Sequence, residues 1–169
     1  MKRLRAAALL LLALNGCDRA EPPPAQEYSP PPPSAFGYDS AIARVATATD
    51  TFDVQVEVAE RDDQRAYGLM ERTSLAEAAG MIFLYHAPQS ASSGFWMYRT
   101  RIPLDIAFFD STGAVLALLQ MEPCPSPYPE VCRNYAPGVP YIGALEVNRG
   151  WFARKGLGVG AAIDLSPLR

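Results

Sequence analysis

A chain of 169 residues is long enough for one compact domain and additional segments. Its 18 acidic and 15 basic residues are interspersed and give a net charge of −3, so the chain lacks the basic field that binds nucleic acid. Apolar residues make up 49% of the chain, but part of this fraction lies at the N-terminus and does not belong to a core.

The first 17 residues have the pattern of an export signal. A positive start, MKRLR, precedes the short apolar run AAALLLLAL and the sequence LNGC. The apolar run is too short to span a bilayer comfortably. LNGC resembles the bacterial lipobox, so we predict a lipoprotein signal peptide over 1–17 with lipidation at Cys17. This places the folded part in the cell envelope, on the periplasmic or extracellular side; an ordinary cleaved signal is the alternative.

Residues 18–43 are predicted to be a disordered tether. The stretch EPPPAQEYSPPPPSAFG has too few apolar residues to fold, and its prolines favour extended polyproline II. A spacer between a lipid anchor and a domain is the simpler interpretation. A ligand for a proline-recognition domain is the alternative.

Two cysteines, Cys124 and Cys132, remain in the segment CPSPYPEVC. An exported compartment is oxidising, so we predict a disulfide that closes this loop. A redox-active pair is less favoured, because such dithiols usually have the tighter C-x-x-C spacing at the start of a helix.

The rest of the chain, 44–169, is predicted to be a single domain made mostly of strands. TFDVQVEVA alternates apolar and polar residues, as a half-buried strand does, and ERDDQRAYGLM predicts a short helix. MIFLY predicts a buried strand. LDIAFF and AVLALLQM, joined by the turn DSTG, predict an antiparallel hairpin.

The C-terminal part continues this pattern. YIGALEV predicts a strand, NRGWFARKGL a short helix or turn, and VGAAIDL a closing strand. We therefore predict a mainly β fold, a compact β-sandwich or partly open barrel of about seven strands with one or two short helices.

A family resemblance rests on five segments in order: RAYGLMERTSL, GMIFLY, FWMYRTRIPLDIAFFD, ALEVNRGW and GLGVG. Together they resemble domain of unknown function 192, over roughly Phe52 to Leu165. The resemblance implies a compact β-rich domain, but the family is named for its lack of a known activity. One departure is that Tyr98, Arg99 and Thr100 stand where the family usually has Lys–Asn–Thr. If the missing amide is a ligand or catalytic contact, this chain has altered it.

Asp105 is a carboxylate within an apolar strand. Alternation puts Ile106 and Phe108 on one face and Asp105 on the other, together with Arg101. The favoured interpretation is an ion pair between Asp105 and an arginine. The alternative is a cleft for a polar ligand, with candidate binding residues Arg72, Trp96, Tyr98, Arg99 and Asp105.

Catalytic chemistry has weaker support. Acid–base work on a glycoside needs a second carboxylate, and Glu71 or Glu146 could supply it, but nothing places either beside Asp105. The serines lack a nucleophile-elbow frame, and the single histidine, His86, has no ligand partner at zinc spacing. The methionines suit core packing better than Cu(I) binding. We therefore predict no catalytic residue, metal site or cofactor, and leave enzymatic activity open.

The function predicted from these patterns is that of an envelope lipoprotein. It is attached to the membrane through a lipid anchor and binds a small polar ligand or an envelope protein, not nucleic acid. Trp96 is a candidate stacking platform, whereas Trp151 is expected in the core. The alternative is a hydrolase of saccharide or cell-wall material with Asp105 as its acid–base group.

Overall fold

The computed structural model describes residues 33–166, so the predicted signal peptide, Cys17 and most of the tether lie outside the described residues. The described strands are β1 (Asp39–Ala46), β2 (Thr51–Ala59), β3 (Ala79–Gln89), β4 (Phe95–Trp96), β5 (Leu104–Phe109), β6 (Val115–Met121), β7 (Asn134–Tyr135), β8 (Tyr141–Asn148) and β9 (Ala162–Asp164). The helices are α1 (Asp62–Tyr67) and α2 (Trp151–Arg154), with 3-10 turns at Pro33–Phe36 and Pro129–Val131. No helix within the described range is long and apolar enough to cross a membrane.

The folded part begins earlier than the sequence predicts. β1 begins at Asp39, inside the tether predicted over 18–43. The ring of Phe36 already stacks on Tyr67, with the ring centroids 4.3 Å apart. The buried side chains of β1 are small, as at Ala43. Such side chains give a weak alternation signal next to a proline-rich stretch, which explains the misplaced boundary.

Seven strands form one sheet in the order β6-β5-β8-β3-β2-β1-β9. Neighbouring strands are antiparallel except β2 and β3, which are parallel and are connected through α1. Parallel neighbours need such a crossover, because a tight turn can join only antiparallel strands. The predicted β5–β6 hairpin is present, with Leu104 opposite Met121.

The sheet curls until its two edge strands meet at one end. Ala114, just before β6, forms an antiparallel bridge with Ala162 in β9. Val115 N–H donates to the carbonyl of Ala161 at 2.8 Å, and Ile163 N–H donates to that of Gly113 at 2.8 Å. The predicted mainly β fold, a partly open barrel with two short helices, is confirmed.

Side chains on the two faces of the sheet form two cores. The inner core receives buried residues from all seven strands, including Val45, Val56, Ile82, Ala107, Val115, Leu145 and Ile163. The outer core lies on the other face of β3, β5 and β8, and includes Met81, Phe83, Leu104, Phe108 and Ala144. The small β4–β7 sheet contributes Phe95 and Tyr135 to the outer core. All six residues of β5 are therefore buried.

The loop closed by Cys124 and Cys132 packs beside the segment that contains Trp96 and Tyr98. Cys124 and Cys132 form a disulfide with their Cα atoms 5.8 Å apart, as predicted. The Tyr98 hydroxyl donates to the carbonyl of Pro127 within the loop at 3.2 Å. A parallel bridge also joins Tyr98 to Cys124. The disulfide loop is thus fixed directly to the segment that carries Trp96 and Tyr98.

Candidate functional site

Asp105 does not pair with an arginine, so the favoured interpretation from the sequence is wrong. None of the ion pairs among the described residues includes Asp105, whose side chain is buried. Its Oδ2 instead accepts a hydrogen bond from the Gly150 N–H at 2.8 Å. Arginines from the family-motif segments RAYGLMERTSL and FWMYRTRIPLDIAFFD are held by other acids: Arg65 by Asp62, Arg72 by Glu57, and both Arg99 and Arg101 by Glu71.

Asp105 anchors the start of α2. Gly150 is the residue that precedes this helix, and it has no side chain that could cap the helix. The Asp105 carboxylate, from a different strand, satisfies one of the N–H groups that a helix leaves open there. Burial raises the pKa of Asp105, and hydrogen bonding from the Gly150 N–H opposes that rise. The charge of this strand residue therefore has a structural explanation that the sequence pattern does not reveal.

Glu71 binds two arginines and joins two of the family-motif segments. Its Oε1 accepts from Arg99 Nε at 2.6 Å, and its Oε2 accepts from Arg101 Nε at 2.7 Å. The Glu71 N–H donates to the Arg99 carbonyl at 2.9 Å. The bond from Arg99 is the main reason that the pKa of Glu71 lies below its usual range.

The backbone at Arg99 gives a reason for the asparagine that the family resemblance implies there. Arg99 has a φ of 54°, in the left-handed region that asparagine adopts more readily than most residues. An asparagine at this position is therefore explained by backbone conformation, without a ligand. In this chain an arginine adopts the same conformation and uses its guanidinium to bind Glu71.

Trp96 and Tyr98 lie together beside the disulfide loop. Their ring centroids are 5.5 Å apart. Trp96 is 47% exposed, whereas Tyr98 is buried. Trp96 thus presents an aromatic surface to solvent, while Trp151 lies in the inner core as expected. The structure brings Trp96, Tyr98 and Arg99 to one region.

Arg72 lies apart from that region, in what we call the Arg72 groove. This groove has a volume of about 590 Å³ and runs between the outer face of β1 and β2 and the loop at 72–80. Arg72 Nη2 contacts Glu57 Oε2 at 2.5 Å. Arg72 Nε is buried and has no hydrogen-bond partner among the described residues. Polar side chains that sequence reasoning missed also line the groove: Ser40, Gln55, Glu57 and Ser74.

The loop wall of the Arg72 groove is held firmly. Asn148 Nδ2 donates to the carbonyl oxygens of Leu75 and Ala76 at 3.1 and 2.9 Å. The Gln55 N–H donates to the carbonyl of Ala78 at 2.9 Å. These bonds tie the loop to β8 and β2, so the groove is formed before any ligand arrives.

Glu146 is a second buried carboxylate, and it lies on the opposite face of the sheet from Asp105. Asp105 stands opposite Val147 in the β5–β8 register, and Ile106 stands opposite Glu146. Directly opposed residues share a face, so the two acids point away from each other through the sheet. They do not form the pair of carboxylates that flanks a scissile glycosidic bond.

Sequence reasoning considered Glu146 only as a possible partner for Asp105. The available signal was a single carboxylate within YIGALEV, the same pattern that drew attention to Asp105. Among the described residues, no group of three or more His, Cys, Asp or Glu side chains could hold a metal ion. Met81, Met97 and Met121 are packed in the outer core, as their apolar surroundings predict.

The fold and these sites define a small, mainly β domain with a polar groove on its outer face. The chain belongs to the DUF192 family, described as an uncharacterized ACR, which matches residues 44–165. A search of curated proteins finds no match.

Two crystal structures have the same fold. One is a protein from Sinorhizobium meliloti 1021, described as a candidate transcription regulator; it is 30% identical, with a TM-score of 0.64, and the match covers 75% of this chain and 94% of that one. The other is a protein of unknown function from Novosphingobium aromaticivorans DSM 12444; it is 33% identical, with a TM-score of 0.64, and the match covers 76% and 86% of the two chains.

Proposed function

We propose that this protein is an exported, lipid-anchored binding domain that takes a small anionic ligand in the Arg72 groove. The observation that carries the proposal is the Arg72 guanidinium, which lines a preformed groove of about 590 Å³ and has an unpartnered Nε. This volume lies within the range of ordinary small-molecule sites. The export signal over 1–17 and the disulfide both suit an oxidising compartment.

The expected ligand carries a carboxylate or phosphate group. Arginine binds such groups through two parallel N–H donors, and Arg72 has a buried, unpartnered Nε beside an Nη2 held by Glu57. A ligand anion would take over Nη2 from Glu57, and the Arg72 side chain would turn so that its buried Nε donates to the same anion. Ser40 and Ser74 would supply further hydrogen bonds along the groove.

Binding to an envelope protein is the second candidate function. It is favoured by exposed apolar side chains at the disulfide loop, Tyr128 and Val131 at 63% and 66% exposure, together with Trp96. Aromatic residues are enriched at protein interfaces. The net charge of −3 gives no support to a nucleic-acid partner, whatever the role of the Sinorhizobium relative.

A binding assay tests the proposal. The full-length protein in detergent is titrated with phosphate and with succinate at constant ionic strength, and the melting temperature is recorded. We expect both anions to stabilise the wild type and Arg44→Lys, a control on an exposed pair with Asp53. Arg72→Lys should lose the effect, because lysine cannot form the two-donor fork. Equal responses in all three proteins, or none, would overturn the proposal.

A further inference from the structure

We propose a second site, separate from the Arg72 groove: a narrow cleft above Glu146 that binds a single ammonium group. We call it the Glu146 cleft. It lies between the outer face of the sheet and the segment 65–70, and Phe83, Phe95, Trp96 and Thr100 also line it.

Glu146 provides an unpartnered acceptor in this cleft. The residue is 4% exposed. Its neighbours across the sheet are apolar, Met81 on β3 and Ile106 on β5. No hydrogen bond or ion pair joins its side chain to another residue of the described part. Burying a carboxyl group without a hydrogen-bond partner costs free energy. A ligand that donates hydrogen bonds to Glu146 removes this cost, which favours its binding.

The size of the cleft limits the ligand. Its volume is about 20 Å³, and roughly 10–15 Å³ is enough for one water-sized group. An ammonium head is of this size. Thr100 also lines the cleft and offers its hydroxyl oxygen as a second acceptor; this hydroxyl makes only a long contact, 3.5 Å, to the Tyr98 carbonyl.

The lining favours a polyatomic cation over a metal ion. Phe83 and Phe95 pack edge to face with their centroids 4.8 Å apart, and Trp96 covers the same cleft. Aromatic rings attract ammonium groups through their negative faces. A hard divalent ion needs six or more oxygen ligands, and the cleft has one carboxylate. The ligand is therefore free ammonium or the terminal –NH3⁺ of a primary amine.

No other charged or titratable group of the described part forms an ion pair with Glu146. Arg65, from α1, lines the cleft, but its guanidinium is engaged by Asp62 and by the carbonyl oxygens of Glu60 and Leu84. Tyr67 also lines the cleft, and Tyr85 on β3 lies close enough to feel the Glu146 charge. Burial raises the pKa of Tyr85, so it stays neutral.

Binding exchanges a cation for a proton. Burial raises the pKa of Glu146 to about 8, so the empty cleft holds a protonated carboxyl group at pH 7. When –NH3⁺ enters, its N–H groups donate to the carboxylate and the acid proton leaves to solvent. The affinity should therefore rise about tenfold per pH unit up to about pH 8, level off, and fall again where the amine itself loses its proton.

Thermal shift at pH 7.5 on the full-length protein in detergent tests the site. The probes are ammonium, methylammonium and tetramethylammonium chloride against sodium chloride at equal ionic strength. We expect a rise of about 2–4 °C once the probe exceeds its Kd about fivefold. It should occur in the wild type and in the control Glu130→Gln, which changes an exposed acid, but not in Glu146→Gln. Tetramethylammonium has no N–H and should have no effect.

The probes distinguish free ammonium from the –NH3⁺ group of a primary amine. A response to ammonium alone indicates free ammonium, and a response to methylammonium of equal or greater size indicates a primary amine. Equal responses in the wild type and Glu146→Gln, or no response to either probe, would overturn the site and leave a cleft that holds water.

If Glu146→Gln fails to fold, titration calorimetry on the wild type tests the site instead. In buffers of different ionisation enthalpy, about one proton should be released per ligand at pH 7, and the release should fall as the pH rises past about 8, where the empty carboxyl group is already ionised. Binding without proton release at pH 7 would contradict the contact with Glu146. These results do not bear on the Arg72 groove, whose response to phosphate is measured separately.

Discussion

At the scale of single residues, the buried Glu146 makes stability depend on pH across the neutral range. Its pKa is 4.5 in an unperturbed chain and about 8 in the fold, because burial disfavours the charged form. Between these values the folded state holds a proton that the unfolded state lacks. The contribution is therefore fully present below about pH 4.5 and is lost as pH rises to about 8.

Glu146→Gln should remove this loss of stability with rising pH. We expect the free energy of unfolding of the wild type to fall by about 1.4 kcal/mol per pH unit between pH 5 and pH 8 from this group. The variant should lack that slope and become the more stable protein at pH 8. Urea denaturation at unit pH intervals measures both curves. Parallel curves would show that Glu146 is not buried in this way.

Asp105 gives a second prediction at this scale, since its role is to accept the Gly150 N–H. Asp105→Asn keeps an acceptor oxygen in the same place and should change stability little. Asp105→Ala leaves the N–H unsatisfied and should cost about 1–3 kcal/mol. Denaturant unfolding at pH 7 compares the two variants. Equal losses in both would mean that the charge itself is needed, as the arginine interpretation requires.

At the scale of structural elements, the contribution of the disulfide loop to stability can be tested directly. Replacing both Cys124 and Cys132 by serine should lower the free energy of unfolding by about 2–3 kcal/mol, the loop-closure value for so short a ring. Equilibrium denaturation of the double variant and of the wild type with and without reductant measures the loss. Because Tyr98 is attached to this loop, the near-ultraviolet signal of Trp96 should change as well. An unchanged midpoint would show that the loop is held by its other contacts.

Elements with a clear alternation of apolar and polar residues or a clear turn were predictable from sequence. Elements too short to show such a pattern were not. The strict alternation of TFDVQVEVA marks β2, and the turn DSTG marks the hairpin of β5 and β6. β4 and β7 have two residues each, too few to show a period. The parallel pairing of β2 with β3 was missed because it depends on the crossover rather than on either strand.

The candidate sites were harder to predict for a related reason. Alternation assigns Asp105 to a face correctly but does not show that both faces of β5 are covered. The Arg72 groove depends on a loop held by Asn148, a residue 73 and 72 positions from its two acceptors. Contacts of such long range are set by topology and leave no local pattern in the sequence.

At the scale of the whole molecule, membrane attachment is predicted to depend on Cys17. Cys17→Ser should abolish incorporation of labelled fatty acid and move the protein to the aqueous fraction without detergent, because no acyl chain would remain. Metabolic labelling and fractionation measure both effects. Cys132→Ser is the matched control and should stay lipidated. Labelled fatty acid on Cys17→Ser, or a wild type that leaves membranes without detergent, would contradict the anchor.

The meeting of the sheet edges has a consequence for biosynthesis. β9 is the last strand of the described part, yet it pairs with β1, the first described strand, and its residue Ala162 bridges Ala114 just before β6. A ribosome releases β1 well before β9, so the inner core cannot be completed until β9 has emerged. The nascent chain must wait, with its apolar strands uncovered, until β9 emerges. For a chain exported as its N-terminal sequence predicts, this delay would leave it unfolded for a period in which a secretion machinery could capture it.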